Sequence, residues 1–153
     1  MGTPRINLVT LGVRDIGKAR AFYEALGLTP SPASQDGVAF YEVGGVVLSL
    51  FGRADLAADA GVADAPTGFA AVALAWNVES EAAVDAAVAR AADSGARIEQ
   101  PPRKVFWGGY CGYFSDPDGH FWEVAYNPFF PLDAEGRLRL PDNAANSEAP
   151  KQP

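Results

Sequence analysis

The sequence predicts an α+β protein made of two similar modules, and three observations predict it. An internal repeat places a strand followed by a helix twice: VTLGVRD then IGKARAFYEALGL from Val9, and ALAWNVES then EAAVDAAVARAADSGA from Ala73. Each copy closes on a tight turn and a short apolar strand, Gly44-Gly45 before VVLSLF and Asp116-Pro117-Asp118-Gly119 before HFWEVAY. The two halves also align residue by residue. Setting Val13 against Val78 pairs Leu8 with Ala73, and setting Gly45 against Gly119 pairs Ser49 with Glu123.

The elements follow in chain order. Residues 6–13 (INLVTLGV) alternate and are rich in β-formers, as a half-buried strand requires. Asp15 stands at an N-cap position, apolar residues recur at Ile16, Ala19, Phe22, Tyr23 and Leu26, and Gly27 supplies the stop of an amphipathic helix. Residues 37–43 and 46–51 form a hairpin, because Gly44 and Gly45 can take the positive φ angles of a two-residue turn. The Ala-, Asp- and Gly-rich stretch 53–68 lacks clean periodicity and reads as the linker between modules, with one helical turn allowed. The second module then predicts a strand near 70–78, an Ala-rich helix over Ser80–Ser94 ended by Gly95, and strands near 96–100, 109–115 and 120–126. Asp116-Pro117-Asp118-Gly119 has the residues of a type I turn, and Gly108-Gly109 is expected to form a bulge. One domain over residues 5–127 thus holds modules at 5–52 and 69–127. The extension 128–153 keeps apolar anchors such as Phe129 and Leu132 and is expected to lie across the body or a partner subunit; its end, after Pro141, is expected to be disordered.

Composition narrows the function classes. A net charge of −7 disfavours nucleic acid, whose phosphates need a basic face, and favours a cationic small ligand. With no apolar run near the length of a membrane helix and no secretory segment at the N-terminus, a cytoplasmic protein is expected. Cys111 is the only cysteine and His120 the only histidine, which excludes an intrachain disulfide and ordinary structural zinc sites.

Parity places the repeat-related positions without coordinates, since side chains alternate between the faces of a strand. Val9, Leu11 and Val13 cover the helix, while Leu8, Thr10 and Gly12 face away; Val46, Leu48 and Leu50 pack inward, leaving Val47, Ser49 and Phe51 outside. Ala71, Ala73 and Ala75 oppose Leu74 and Trp76, and Phe121, Glu123 and Ala125 oppose Trp122 and Val124. Leu8, Ser49, Ala73 and Glu123 are therefore expected on helix-free faces. Two such sheets curling toward each other would enclose a mainly apolar cleft suited to a small molecule.

The stretches VTLGVRD-x-x-K-A-x-x-FY-x-x-LGL and GYFSDPDGHFWEVAYNP resemble the vicinal oxygen chelate superfamily, which includes glyoxalase I, extradiol dioxygenases and bleomycin-binding resistance proteins. The resemblance, over about residues 5–127, implies paired βαβββ modules with cupped mixed sheets, and commonly a homodimer. In metal-dependent members the ligands come from the first and last strands of each module, and by position they fall on Leu8, Ser49, Ala73 and Glu123. Leucine and alanine have no lone pair to give and a neutral serine hydroxyl is a poor ligand, so loss of metal dependence is inferred and no cofactor is expected.

These readings lead to a metal-independent protein that binds or sequesters a small organic molecule, aromatic or cationic, as a homodimer. Its candidate ligand-binding residues are Leu8, Thr10, Ser49, Phe51, Ala73, Trp107, Tyr110 and Glu123. The alternative is a lyase, isomerase, epimerase or dioxygenase of glyoxalase type, with Glu123 as the catalytic base and either an atypical divalent metal site or none. Glu123 could also be a counter-ion, or a structural residue bonded across the cleft. His120 suits a turn role better than ligation, and Cys111 lacks a second cysteine or a nearby activating histidine in sequence. Trp107, Tyr110 and Tyr113 suit ligand stacking or core packing equally, and Arg103 and Lys104 suit a solvated loop from which either could reach an anionic group on a ligand.

Overall fold

The computed structural model describes residues 6–65, 68–70 and 72–140. The chain divides into two compact units, Met1–Ala70 and Ala71–Pro153. Among the described residues no helix is long and apolar enough to cross a membrane.

The first unit runs β1 (Leu8–Val13), α1 (Ile16–Leu26), β2 (Val38–Val43), β3 (Val46–Gly52) and α2 (Arg53–Asp59). Its sheet has the order β1-β3-β2, with β1 parallel and β2 antiparallel to β3. Helix α1 starts where the sequence predicts, because the Asp15 carboxylate accepts from the Lys18 N–H at 3.0 Å. It stops at Gly27, which adopts φ 116° and donates its N–H to the carbonyls of Tyr23 and Glu24. Ala19, Phe22, Tyr23 and Leu26 are buried, as are Leu11, Val13, Leu48 and Leu50 of the sheet. Tyr23 packs edge-on against Phe22 at 5.0 Å, and Tyr41 lies 6.5 Å from Tyr23.

Two expectations for this unit need correction. The first module has three strands, not four: between α1 and β2 there are only isolated bridges, Pro30 with Tyr41 and Gln35 with Val38. Pro30 and Pro32 have no N–H to give a ladder, and pairing along this stretch is limited to these bridges. The linker, in turn, opens with the seven-residue helix α2. Its Ala-rich sequence favours a helix, and it packs where Gly12 provides room: a Cβ on Gly12 would lie 3.3 Å from both Arg53 Cα and Leu56 Cδ2. The face of this sheet that points away from α1 is thus covered at the Gly12 end.

The second unit runs β4 (Ala73–Asn77), α3 (Glu81–Asp93), β5 (Arg97–Lys104), β6 (Tyr110–Ser115) and β7 (Phe121–Tyr126), with sheet order β4-β7-β6-β5. Ser80 caps α3 by accepting from the Ala83 N–H at 3.1 Å, and Gly95 just beyond its end takes φ 105°. Val84, Ala87, Val88 and Ala91 of the helix are buried together with Phe114 and Val124 of the sheet, and Phe114 stacks on Trp122 at 6.1 Å. Strand β5 extends past its expected end, across Pro101 and Pro102, with register shifts on either side of Gln100. It is the edge strand of the sheet, where missing N–H groups are tolerated. The irregularity therefore lies on β5; Gly108 and Gly109 instead belong to the β5–β6 loop, closed by the Val105 N–H on the Gly109 carbonyl at 3.0 Å.

After β7, Leu132 bridges Leu138, and Asp133 accepts from the side chains of Arg137 and Arg139. The end of the extension, residues 141–153, lies outside the described residues.

Candidate functional site

Each unit builds one cross-strand row around its repeat-related residue. In the first, Thr10, Ser49 and Phe40 stand side by side on β1, β3 and β2. In the second, Ala75, Glu123 and Tyr113 stand side by side on β4, β7 and β6. The neighbouring rows correspond as well, Leu8 with Val47 in one and Ala73 with Phe121 in the other. Strand register thus reproduces, within each unit, the residue pairing derived from the internal repeat.

The two central positions differ in environment. Ser49 is only 2% exposed, between half-buried Thr10 and Phe40, while Leu8 nearby is 45% exposed. Glu123 is half-buried, and Ala73 and Ala75 beside it on β4 are exposed. On its other side Glu123 faces Tyr113 directly, and Cys111 lies one pleat further along β6 on the same face. Burial, then the charge of Glu123 and hydrogen bonding to it, push the Tyr113 hydroxyl up to about 12. The same causes in the same order raise the Cys111 thiol, and Arg103, opposite Cys111 on β5, acts weakly against them. Both neighbours of the carboxylate therefore keep their protons at neutral pH.

Taken position by position, the side chains do not form a metal-binding set. Leu8 and Ala73 carry no donor atom, Ser49 offers a sealed neutral hydroxyl, and Glu123 is the single strong ligand. Among the described residues no group of three or more His, Cys, Asp or Glu side chains could hold a metal ion.

The remaining sequence candidates are dispersed. Phe51 stands beside Gly12, the residue that α2 covers. Tyr110 has the opposite parity to Tyr113, and its hydroxyl donates to Asp85 of α3 at 2.8 Å, so it does not join Glu123. The Trp107 ring lies over Gly109, where a Cβ would come within 1.8 Å of it. His120 serves the turn: its Nδ1 lies 2.7 Å from Asp116 Oδ2, and Asp116 Oδ1 accepts from the N–H groups of Asp118 and His120. Tyr113 and Cys111 as partners of Glu123 are the part that sequence reasoning missed. The signal was available, because pairing outward from the DPDG turn, Ser115 with Phe121, brings Tyr113 opposite Glu123.

Comparison with known proteins fits this geometry. The sequence model of the Glyoxalase/Bleomycin resistance protein/Dioxygenase superfamily matches residues 5–124. A glyoxalase-related enzyme from Fulvimarina pelagi is similar at 34% identity and a TM-score of 0.81, covering 90% of this chain and 99% of that one. A glyoxalase/bleomycin resistance protein/dioxygenase from Nocardioides is similar at 29% identity and a TM-score of 0.69, covering 82% of this chain and 85% of that one. Lactoylglutathione lyase from Agrobacterium tumefaciens shares the fold at 22% identity and a TM-score of 0.65, covering 86% of this chain and 100% of that one. No curated protein matches the chain.

Proposed function

We propose, on the premise that this chain belongs to the Glyoxalase/Bleomycin resistance protein/Dioxygenase superfamily, that it binds or sequesters a small organic molecule without using a metal ion. One observation carries the proposal: Glu123 is the only ionisable group among the four repeat-related positions, and it stands half-buried beside exposed Ala75. A carboxylate in such a place is partly desolvated, so a donor group that reaches it gains more than it would in water. A ligand with an aromatic body and a cationic or N–H-bearing end suits both this anchor and the net charge of −7. A cytoplasmic homodimer belongs to the same proposal, and light scattering tests the dimer.

The binding test is a thermal-shift and equilibrium-dialysis screen of metabolites and antibiotics on protein purified without chelators, with metal analysis of the same sample. The expected result is a ligand that raises Tm in metal-free protein and fails to do so with Glu123→Gln. Stoichiometric metal that binding requires would sink the proposal.

A second reading, proton abstraction by Glu123 in a lyase, isomerase or epimerase, is favoured by the open β4 side of the carboxylate, where a substrate C–H could approach. It predicts deuterium exchange from solvent into the bound molecule, lost in Glu123→Gln. Simple sequestration predicts none.

A further inference from the structure

The surroundings of Glu123 are one-sided. Toward β6 stand two proton-bearing side chains, Tyr113 directly opposite Glu123 and Cys111 one pleat further on the same face, both raised by burial and then by the Glu123 charge. Toward β4 stand Ala75, in the same row, and Ala73 and half-buried Asn77, one pleat away on either side; the two alanines are exposed and end in a methyl group. An ionised carboxylate accepts in about four lone-pair directions and donates nothing. With two proton-bearing side chains toward β6 and exposed Ala75 in its own row toward β4, the carboxylate is open to an incoming donor from the β4 side. Among the described residues no lysine, arginine or histidine forms an ion pair with Glu123.

We infer that Glu123 is a one-sided acceptor: the ligand's own donor, best a protonated amine or amidine, takes the lone pairs facing β4, and Ala75 sets the size of the group attached to that donor. Tyr113 is a positioning residue that orients the carboxylate from β6. The inference rests on the small-molecule binding proposed above and adds the polarity of the ligand end, its side of approach and the residue that limits it. A ligand end that only accepts, above all a carboxylate, meets the Glu123 charge in this row, and the donor side chain that β4 presents on this face, Asn77, stands one pleat away beside Ala125. A side chain longer than alanine at 75 would stand where the donor must enter, whereas the fold tolerates it, because an exposed strand position accepts β-branched residues readily.

The test uses the full-length, isotope-labelled chain and three probes of one shape: benzylammonium, benzyl alcohol and benzoate, followed by amide chemical shifts. Benzylammonium is expected to shift amides of residues 73–76 and 121–125 and to bind about tenfold more tightly than benzyl alcohol, the usual excess of a charged over a neutral hydrogen bond. Benzoate is expected not to bind. Glu123→Gln should bring the first ratio close to one. Ala75→Ile should weaken both benzylammonium and benzyl alcohol about tenfold or more, while Ala75→Ser leaves them nearly unchanged. Tyr113→Phe keeps the ring and loses the hydroxyl, so it should lower the ratio without abolishing binding.

Benzoate binding as tightly as benzylammonium, or Ala75→Ile leaving both affinities intact, would overturn the inference and leave the binding proposal standing. No shift at 73–76 and 121–125 with any probe would overturn both.

Discussion

Replacing Asp116 by alanine removes the acceptor that closes the turn into β7, the strand carrying Glu123. Asp116 is 3% exposed, and within the turn its oxygens accept from the N–H groups of Asp118 at 3.0 Å and His120 at 2.8 Å and from His120 Nδ1 at 2.7 Å. Hydrogen bonds to a charged acceptor contribute about 1.5–3 kcal/mol each, but these donors are only partly buried and recover water in the variant. A net loss of about 3 kcal/mol follows, equivalent to a fall in Tm of roughly 6–12 °C for a chain of this size. Asp116→Asn keeps an oxygen for the two backbone donors and should lose only about 1 kcal/mol. The assay is urea denaturation of both variants, accepted only where the m-value is unchanged, so that the native surface is the same. A loss below about 1 kcal/mol for alanine, or equal losses for alanine and asparagine, would refute the claim that the carboxylate holds the turn.

Two further outcomes are expected. Tyr113 and Tyr41 are both pushed up to about 12, chiefly by burial. A group with a raised folded pKa stabilises fully below its unfolded value, so stability should fall as pH rises from 10 to about 12. Tyr113→Phe and Tyr41→Phe should each flatten that fall in urea titrations, and a slope unchanged in the double variant would count against it. The second concerns Cys111, buried and with its thiol raised by burial and by Glu123. It should react with a disulfide reagent at least about a hundredfold more slowly in the native state than in urea, since the thiolate is the reactive form. Comparable rates would contradict the burial of this thiol.

The sequence was most legible where local chemistry fixes the backbone. Asp15, Gly27, Ser80 and Gly95 mark the ends of α1 and α3 because each satisfies helix-end groups within a few residues. The Gly44-Gly45 turn gave β2 and β3 their register in the same way, with Val43 opposite Val46. Long-range compensation was harder to read. The Pro- and Ser-containing stretch after α1 makes only isolated bridges, whereas β5 runs across Pro101 and Pro102 with shifts of register at an edge. Helix α2 is longer than the single turn allowed for this stretch, and a residue it packs against, Gly12, lies about forty residues earlier in the chain and is recognised by an absent side chain. At the site, repeat and parity found Glu123, but its partners needed the cross-strand register of β6 with β7.

That register also explains why the duplicated architecture carries its charge in one unit only. Thr10–Ser49–Phe40 and Ala75–Glu123–Tyr113 occupy corresponding rows, so a carboxylate could have stood in either. At position 49, sealed to 2% exposure, an ionised group would lose nearly all its hydration, a cost of several kcal/mol unless a partner charge were buried with it. At position 123 the carboxylate is half-buried beside exposed Ala75 of β4, with the proton-bearing side chains of Tyr113 and Cys111 on its other side. Serine at the buried position and glutamate at the half-buried one are thus each matched to local solvation. The feature that makes Glu123 tolerable in the free protein, an uncovered side facing β4, is the same feature that leaves its lone pairs available to a ligand.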